Sequence, residues 1–308
     1  MQILPLVLAI TFVSFAIIYH ATGDAVDMLY DQTGGASELI KAQKRAMLGL
    51  DQPFIVQYLL WLKGFLQGDM GSSYISGQPV LTSFMSRLPA TIELMFWSMT
   101  ATIAVSLPLG IYAALKRNTS IDYTIRLVAF VGNSLPGFFI ALLLIYLFAL
   151  KLSWLPVLSG GSSRLAIVLP AASLAVSMSA RYIRQIRAAV LEELSKDYVL
   201  GARARGVSEF TIICASVLRV ALLTLVTLLA LSVGSLLGGT AIIETIFMWD
   251  GVGKLAVDSI VMRDYPLIQA YVIWMSIIYV LVNLATDIIY NYLDPRIRIG
   301  VRSEHVQK

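Results

Sequence analysis

A polar stretch between two long apolar segments decides the fold: it reads DYVLGARARG and covers residues 197–206. The apolar runs on either side, at residues 165–186 and 213–240, are each long enough to cross a bilayer. The polar stretch is therefore held on one side of a membrane. Ser195 is positioned to cap a short helix there, and Gly206 can adopt the left-handed conformation that ends it.

The charges within this stretch agree with a helix that docks against another protein. Asp197 lies in the predicted first turn, where the helix dipole favours an anion. Small residues fall on one side of the helix and arginines on the other, and a second helix start follows at Ser208-Glu209. A compact helix clamped between two spans is suited to contact with a partner.

Composition places the whole chain in a membrane. Apolar residues make up 58% of the 308 residues, charged residues 14%, and the mean hydropathy is +0.78. A soluble domain is about half apolar and about a quarter charged. The expected fold class is all-α and polytopic, with about six transmembrane helices. We place these spans at residues 3–20, 91–115, 126–150, 165–186, 213–240 and 266–290.

Basic residues orient the chain. They cluster in the loops between spans two and three and between spans four and five, and again after span six, as Lys116, Arg117, Arg126, Arg181, Arg184, Arg187, Lys196, Arg203, Arg205, Arg296, Arg298 and Arg302. The positive-inside rule assigns these loops to the cytoplasm, so both termini are expected there. Residues 1–20 lack a charged n-region, so a cleaved signal peptide is the less favoured interpretation of them.

Four parts follow from these spans: a first transmembrane helix at 1–20, an extracytoplasmic segment at 21–90, a core at 91–291 that includes the short polar helix at 195–208, and a cytoplasmic tail at 292–308.

The extracytoplasmic segment contains two helical patterns. One opens at Ser37-Glu38 and closes near Gly49, and the other starts at Pro53 and ends at Gly68. Aromatic residues at helical spacing beside a membrane predict interfacial helices. Packing over the bundle is favoured over direct substrate contact as their role.

The sequence shows no catalytic, nucleotide or metal motif. It contains no G-x-x-x-x-G-K-[ST], H-E-x-x-H or G-x-S-x-G pattern, and its two histidines, His20 and His305, lie at opposite ends. Asp287 is the carboxylate inside the last span, and structural pairing is its favoured role. The basic residues are scattered among loops, which disfavours a nucleic-acid partner. We therefore expect no enzyme activity, metal site or cofactor in this chain.

The chain also resembles a known family of membrane proteins. Residues 197–206, followed by Leu218-Arg219, resemble the cytoplasmic coupling motif of type I ABC importer permeases, in the branch that carries dipeptides, oligopeptides and nickel. Further stretches along nearly the whole chain agree with this family: 48–53 (LGLDQP), 68–73 (GDMGSS), 88–94 (LPATIEL), 239–253 with ETIF at 244–247, 263–266 (RDYP) and 294–298 (DPRIR).

The resemblance implies a bacterial plasma-membrane complex. It would contain a second permease, two ATPase subunits that bind ATP and Mg, and an extracytoplasmic substrate-binding protein. The residues implied in ATPase coupling are Asp197, Tyr198, Ala202, Arg203, Arg205 and Gly206. Kinked or broken helices would line the translocation pathway, at Asn133, Ser134, Pro136, Gly234, Gly238 and Gly239.

Two departures from the family pattern matter, the first for the shape of a span and the second for the cargo. Thr224 stands where the family often has proline, which predicts a straighter span five. The first outer motif reads Thr22-Gly23-Asp24-Ala25, and the loop from Ser153 to Arg164 is short. Both of these latter features look more like nickel permeases, so chelated nickel is the expected cargo and di- or oligopeptides are the alternative. An ion-coupled secondary transporter is the alternative of another class, although neither mid-membrane carboxylates nor an inverted repeat is evident.

Overall fold

The computed structural model describes residues 3–20, 25–32, 35–157 and 164–293. These residues are helical apart from loops and one isolated bridge between Ser72 and Pro79, so the predicted all-α class is confirmed. The α-helices of the described residues are, in chain order, α1 (Ile3–Tyr19), α2 (Ala25–Gln32), α3 (Glu38–Leu48), α4 (Phe54–Leu66), α5 (Val80–Leu115), α6 (Ser120–Ser134), α7 (Gly137–Leu144), α8 (Val168–Leu194), α9 (Asp197–Ala204), α10 (Glu209–Ile212), α11 (Leu218–Ile246), α12 (Val252–Val261) and α13 (Tyr265–Leu293). Short π-helical turns follow α7 and precede α11.

Four helical segments of the described residues are long and apolar enough to cross a membrane: Val80–Leu115, Leu165–Leu194, Glu209–Gly234 and Tyr265–Thr286. Helices α6 and α7, which are bent against each other, make a fifth when they are counted as one span. These five correspond to predicted spans two to six. The first predicted span forms α1, whose 17 residues reach about 26 Å, a little less than the roughly 30 Å of a hydrocarbon core.

Span three breaks at a proline. Helices α6 and α7 meet at an angle of 106°. Leu135, between them, has an extended backbone with φ −87° and ψ 136°, which is the conformation favoured before proline. Pro136 has no N–H with which to continue the helix. Pro108, by contrast, lies within continuous α5, and Pro170 lies in the first turn of α8, so the predicted break is confirmed at Pro136.

The glycine-rich part of span five is not broken, which corrects our prediction. Helix α11 continues through Gly234, Gly238 and Gly239 to Ile246. Glycine weakens a helix by about 1 kcal/mol but keeps its N–H, so the backbone ladder can continue where proline would interrupt it. Thr224 also lies inside α11. Threonine keeps its backbone N–H, so it does not interrupt the helix.

The described residues divide into two compact units. The first comprises residues 1–92 and 248–280, and the second comprises residues 93–247 and 281–308. Helices α5 and α13 contribute residues to both. Several sequence predictions lie outside the described residues: the outer motif at Thr22-Gly23-Asp24, part of the loop from Ser153 to Arg164, the side chain of Asp287, and the cytoplasmic tail from residue 294 onward.

The two helices predicted in the extracytoplasmic segment are both present in the first unit. Helix α3 ends at Gly49, whose φ of +68° is the left-handed conformation of a helix stop. Helix α4 begins directly after Pro53 and ends at Leu66, two residues before Gly68. Their bounds therefore agree with the sequence pattern.

Aromatic rings join α1 to α4 within the first unit. Phe12 and Phe15 pack edge-on against Phe54 and Tyr58, with ring centroids 5.3 to 5.7 Å apart. The Tyr58 ring is buried, and its hydroxyl lies 3.2 Å from the Thr11 hydroxyl. Edge-to-face pairs of this kind contribute about 0.5–1.5 kcal/mol each beyond their burial.

Helix α8 is the centre of the second unit. Tyr182, Ile186 and Val190 on one face are almost completely buried, and they pack with Val217 and Ala221 at the start of span five. The Tyr182 hydroxyl donates a hydrogen bond of 2.7 Å to the Ser232 hydroxyl. A buried phenol needs such a partner, since an unpaired polar group would be costly here.

A buried ion pair joins α6 to α8. The Asp122 carboxylate is fully buried and accepts two hydrogen bonds of 2.7 Å from the Arg187 guanidinium. The backbone N–H of Asn118 adds a third, at 3.0 Å. The bidentate geometry and the third donor satisfy the carboxylate, which a buried charge requires.

Helices α5 and α8 approach closely at Gly110. A Cβ atom at this position would lie 2.8 Å from Cγ2 of Ile186 and 3.2 Å from the backbone oxygen of Ile183. Small residues permit such close approach between helices in a membrane. A Cβ at Gly137 would instead lie 3.7 Å from the Ser177 hydroxyl, which is an ordinary contact.

We expect Gly110→Ala to destabilise the protein by about 1–3 kcal/mol, because the two helices must move apart to admit the methyl group. The measurement is thermal unfolding of the detergent-purified protein. Gly137→Ala is the matched control and should leave the midpoint nearly unchanged. Equal midpoints for the two variants would show that the α5–α8 contact tolerates a side chain and would contradict the packing described.

Candidate functional site

The short polar helix predicted from residues 197–206 is present as α9. Asp197 lies in its first turn, as predicted. The residue at the N-cap is Lys196, which has an extended backbone and forms no side-chain capping bond. Ser195 does not cap α9: its hydroxyl donates to the backbone oxygen of Glu192 at 2.7 Å. Ser195 keeps a helical backbone and closes α8, so its side chain is directed back along that helix.

Gly206 ends the helix as predicted. Its φ of +77° is left-handed, and no atom lies within 4 Å of the place where a Cβ would stand. The N–H of Gly206 donates to the oxygen of Arg203, and the N–H of Val207 donates to the oxygen of Ala202. Ser208 then caps α10 by accepting the N–H of Thr211 at 3.2 Å, which confirms the predicted second start.

A buried carboxylate attaches α9 to the end of α8. Glu193 is 6% exposed, accepts a 2.5 Å bond from Lys196 Nζ, and accepts a bond from the Tyr198 hydroxyl. Partial desolvation of the Tyr198 hydroxyl, together with its hydrogen bond to the Glu193 carboxylate, raises the pKa of Tyr198 above its ordinary value. Val199, one residue further, is completely buried. The first turn of α9 is therefore fixed by the polar contacts with Glu193 and by the burial of the Val199 side chain.

An exposed ion pair connects α9 to α10. The Arg203 guanidinium donates to the two Glu209 carboxylate oxygens at 2.7 and 3.1 Å. This hydrogen bond raises the pKa of Arg203. Exposed pairs contribute about 0–1 kcal/mol, so this one orients the turn between the helices more than it stabilises it.

The predicted coupling residues lie together at the exposed end of the second unit. Asp197, Tyr198, Arg203, Arg205 and Gly206 are exposed. Ala202 is half-buried, and it lines a cavity of about 240 Å³ together with Tyr198, Arg205 and Val207, among others.

Sequence reasoning missed the apolar part of this surface. Leu200 and Phe210 are 53% and 76% exposed, and Val207 lies between them in sequence and is also exposed. Leu200 lies on the short polar helix between two spans, and an exposed apolar side chain there is suited to contact with a partner. Phe210 lies at the start of the segment Glu209–Gly234, which is long enough to cross a membrane. A leucine and a phenylalanine beside a polar helix were the available signal. We call residues 197–210 with these side chains the α9–α10 surface.

The predicted pathway residues fall into two sets. Asn133, Ser134 and Pro136 lie at the break between α6 and α7 and are exposed, with the Ser134 hydroxyl donating to the Phe130 oxygen at 2.9 Å. Gly234, Gly238 and Gly239 lie within continuous α11. The first set flanks the irregular backbone at Leu135 and Pro136, whereas the second set lies within regular helix.

Comparison with protein families gives two matches that together span most of the chain. A family described as "Binding-protein-dependent transport system inner membrane component" matches residues 106–299. A companion family described as "Binding-prot-dependent transport system membrane comp, N-term" matches residues 2–95.

Two relatives illustrate the similarity over full length. The chain is 37% identical over 306 residues to the oligopeptide transport system permease protein AppB of Bacillus subtilis, with 96% of each protein covered. It is 36% identical over 298 residues to the glutathione transport system permease protein GsiC of Escherichia coli K12, again with 96% of each covered. Among solved structures, the MetNI methionine ABC transporter in an inward-facing conformation has a similar fold, with a TM-score of 0.58 at 18% identity over 70% of this chain and 97% of that one.

We expect Glu193→Gln to loosen α9, since it removes the charge that Lys196 and Tyr198 contact. Hydrogen bonds to charged groups contribute about 1.5–3 kcal/mol, so amide exchange within residues 197–204 should rise at least about tenfold. Hydrogen–deuterium exchange with mass spectrometry measures this. Glu209→Gln removes an exposed pair instead and should change the same amides by less than about fivefold. A larger effect of Glu209→Gln would contradict the assignment of Glu193 as the anchor.

Proposed function

Because the chain belongs to the family of inner membrane components of binding-protein-dependent transport systems, we propose that it forms one permease half of an ABC importer for short peptides. The observation that carries the proposal is the end-to-end similarity to permeases of an oligopeptide and a glutathione transport system. The chain is a multi-pass membrane component and not itself the catalytic subunit. Family membership also sets aside the ion-coupled transporter considered from the sequence.

Peptide cargo replaces nickel as the favoured substrate. The preference for nickel depended on an outer motif and a short loop, and no relative named above is a nickel permease. Glutathione is itself a short peptide, so the two relatives share a substrate class.

The α9–α10 surface is the proposed ATPase contact. It presents exposed Leu200 and Phe210 beside the charged groups of Asp197 and Arg203. An apolar centre with a polar rim is the usual composition of a protein interface. In this arrangement separate subunits bind ATP and Mg, a second permease completes the pathway, and an extracytoplasmic protein delivers the cargo.

The break between α6 and α7 is the proposed part of the pathway. Irregular backbone at membrane depth is tolerated where it is buried in protein or lines a polar cavity. Asn133 and Ser134 end α6 and Pro136 follows them, so all three residues stand next to the irregular backbone of this break. Gly234, Gly238 and Gly239 of continuous α11 are the second proposed part of the pathway.

Deletion of the gene should abolish uptake of labelled di- and tripeptides and of glutathione while leaving nickel uptake intact. Cells with the gene restored on a plasmid are the control. Uptake of each labelled solute, and of nickel with a chelator supplied, gives the comparison. Loss of nickel uptake with normal peptide uptake would overturn peptide cargo, and no loss of any of them would overturn the importer assignment for these solutes.

Gly206→Val should reduce transport at least about tenfold, since a β-branched residue cannot readily adopt a φ of +77° and the end of α9 must rearrange. Gly201→Ala is the matched control, because Gly201 is inside α9 and its added Cβ would lie 3.7 Å from the Arg205 guanidinium, an ordinary contact. Peptide uptake is normalised to the amount of permease in the membrane. If Gly206→Val assembles with the ATPase and transports normally, the proposed contact is wrong.

A further inference from the structure

Two adjoining cavities lie in the first unit, on the segment predicted to face outward. The first, which we call the aromatic pocket, has a volume of about 250 Å³ and walls that include Trp61, Tyr74 and Tyr265. The second, the lysine pocket, has a volume of about 530 Å³ and includes Lys44. Leu48, Ser72 and Tyr74 belong to the walls of both, so the cavities are neighbours.

The wall between them is a tightly held turn. The Asp264 carboxylate, which is 2% exposed, accepts the Ser73 hydroxyl and, at 3.0 Å, the N–H of Tyr74. The Ser73 hydroxyl oxygen in turn accepts the N–H of Ser76 at 2.9 Å. Asp264, nearly 200 positions away in sequence, holds this turn in place. The two cavities therefore keep a fixed relation within this unit.

A buried amide in the aromatic pocket lacks the partners it needs. Gln269 is 1% exposed and lines this pocket, and neither its carboxamide nitrogen nor its oxygen has a hydrogen-bond partner among the described residues. A buried donor or acceptor without a partner costs about 1–3 kcal/mol. A ligand that offered one N–H and one C=O group would satisfy both atoms.

Opposite charges border the two cavities. Asp69 lines the aromatic pocket, where it is exposed, and Lys44 lines the lysine pocket, where it is half-buried. Lys44 forms no ion pair with a described residue. A ligand that spans the cavities would therefore meet a carboxylate on one side and an ammonium on the other.

We propose that these cavities form a binding site for a short peptide with free termini. Its ammonium group contacts Asp69, a peptide unit pairs with the Gln269 carboxamide, a side chain packs among the aromatic rings, and its carboxylate contacts Lys44. A peptide of two or three residues spans about 7–11 Å when extended, which suits two neighbouring cavities. This inference rests on the proposed peptide cargo and adds a site on the permease itself, where cargo is held after delivery.

Binding to the complete complex, purified in lipid nanodiscs without its delivery protein, tests the proposal. Isothermal titration calorimetry with Leu-Phe, its N-acetylated form and its C-amidated form should show the free dipeptide binding about three- to tenfold more tightly than either blocked form. Equal affinities for the three, or no binding of any, would overturn the proposal. Binding of the delivery protein alone, with no binding of peptide, would also overturn it and would make the cavities a protein contact.

Charge variants test each end of the site separately. Asp69→Asn should weaken binding of the free dipeptide but leave the N-acetylated form unchanged, and Lys44→Gln should do the same for the C-amidated form. Lys63→Gln is the control, because Lys63 is exposed on α4 and lines neither cavity. If either site variant weakens all three ligands equally, the assigned contacts are wrong.

Gln269→Leu separates a binding role from a structural one. Removing an amide without partners should raise the thermal midpoint of the peptide-free complex, while binding of Leu-Phe falls about tenfold. A fall in both quantities would show that the amide serves the fold and would contradict its role toward ligand.

The two proposals fail in different ways. If the deletion strain loses peptide uptake while the purified complex binds no dipeptide and the Asp69→Asn and Lys44→Gln strains transport normally, the site is overturned and the cargo assignment stands. If peptide uptake survives deletion, the cargo assignment fails.

Discussion

The requirement that backbone polar groups find partners inside the membrane governs this structure. Water is absent there, so each span satisfies its own N–H and C=O groups as a helix. Several polar side chains follow the same rule: the hydroxyls of Ser98, Thr102 and Ser173 each donate to the carbonyl four residues earlier, at 2.6 to 2.8 Å. Among the described residues, one bent span interrupts this ladder, at Leu135–Pro136, where proline supplies no donor. Irregular backbone within a span is therefore where a functional role is expected.

Helix α8 connects the packed interior of the second unit with its exposed end. Its middle contacts the core through Tyr182 and Ile186, and its last turn holds α9 through Glu193. An uninterrupted helix packed along its length is stiff, because the interior is close-packed and resists gradual deformation. A displacement imposed on α9 by a partner would therefore act directly on the helix against which α6, α7 and α11 pack. This is a mechanical reason for placing the proposed docking helix immediately after α8.

Local chemistry was predictable from the sequence, and tertiary partners were not. The helix stops at Gly49 and Gly206 followed from glycine at the end of a helical pattern, and the break at Pro136 followed from proline within a span. The break predicted at the glycines of α11 failed because a flexible residue permits a kink without requiring one. The role of Glu193 could not be predicted, since its sequence neighbours do not reveal that it is buried. The comparisons do not support the nickel preference, which depended on a loop motif that carries little physical information about cargo.

Buried carboxylates at helix ends perform the same task in each unit. Glu193, at the end of α8, accepts hydrogen bonds from Lys196 and Tyr198. Asp264, before α13, accepts hydrogen bonds from Ser73 and Tyr74. Burial raises the pKa of Asp264 above its usual range despite these donors, and burial beside this carboxylate raises the pKa of Tyr74 to about 12. Because burying a carboxylate carries a desolvation penalty, such a group adds little to the free energy of unfolding. It fixes the local geometry instead, since only one arrangement of donors satisfies it. Each carboxylate therefore fixes a polar segment to a membrane helix, and those two segments carry the surfaces to which function is assigned.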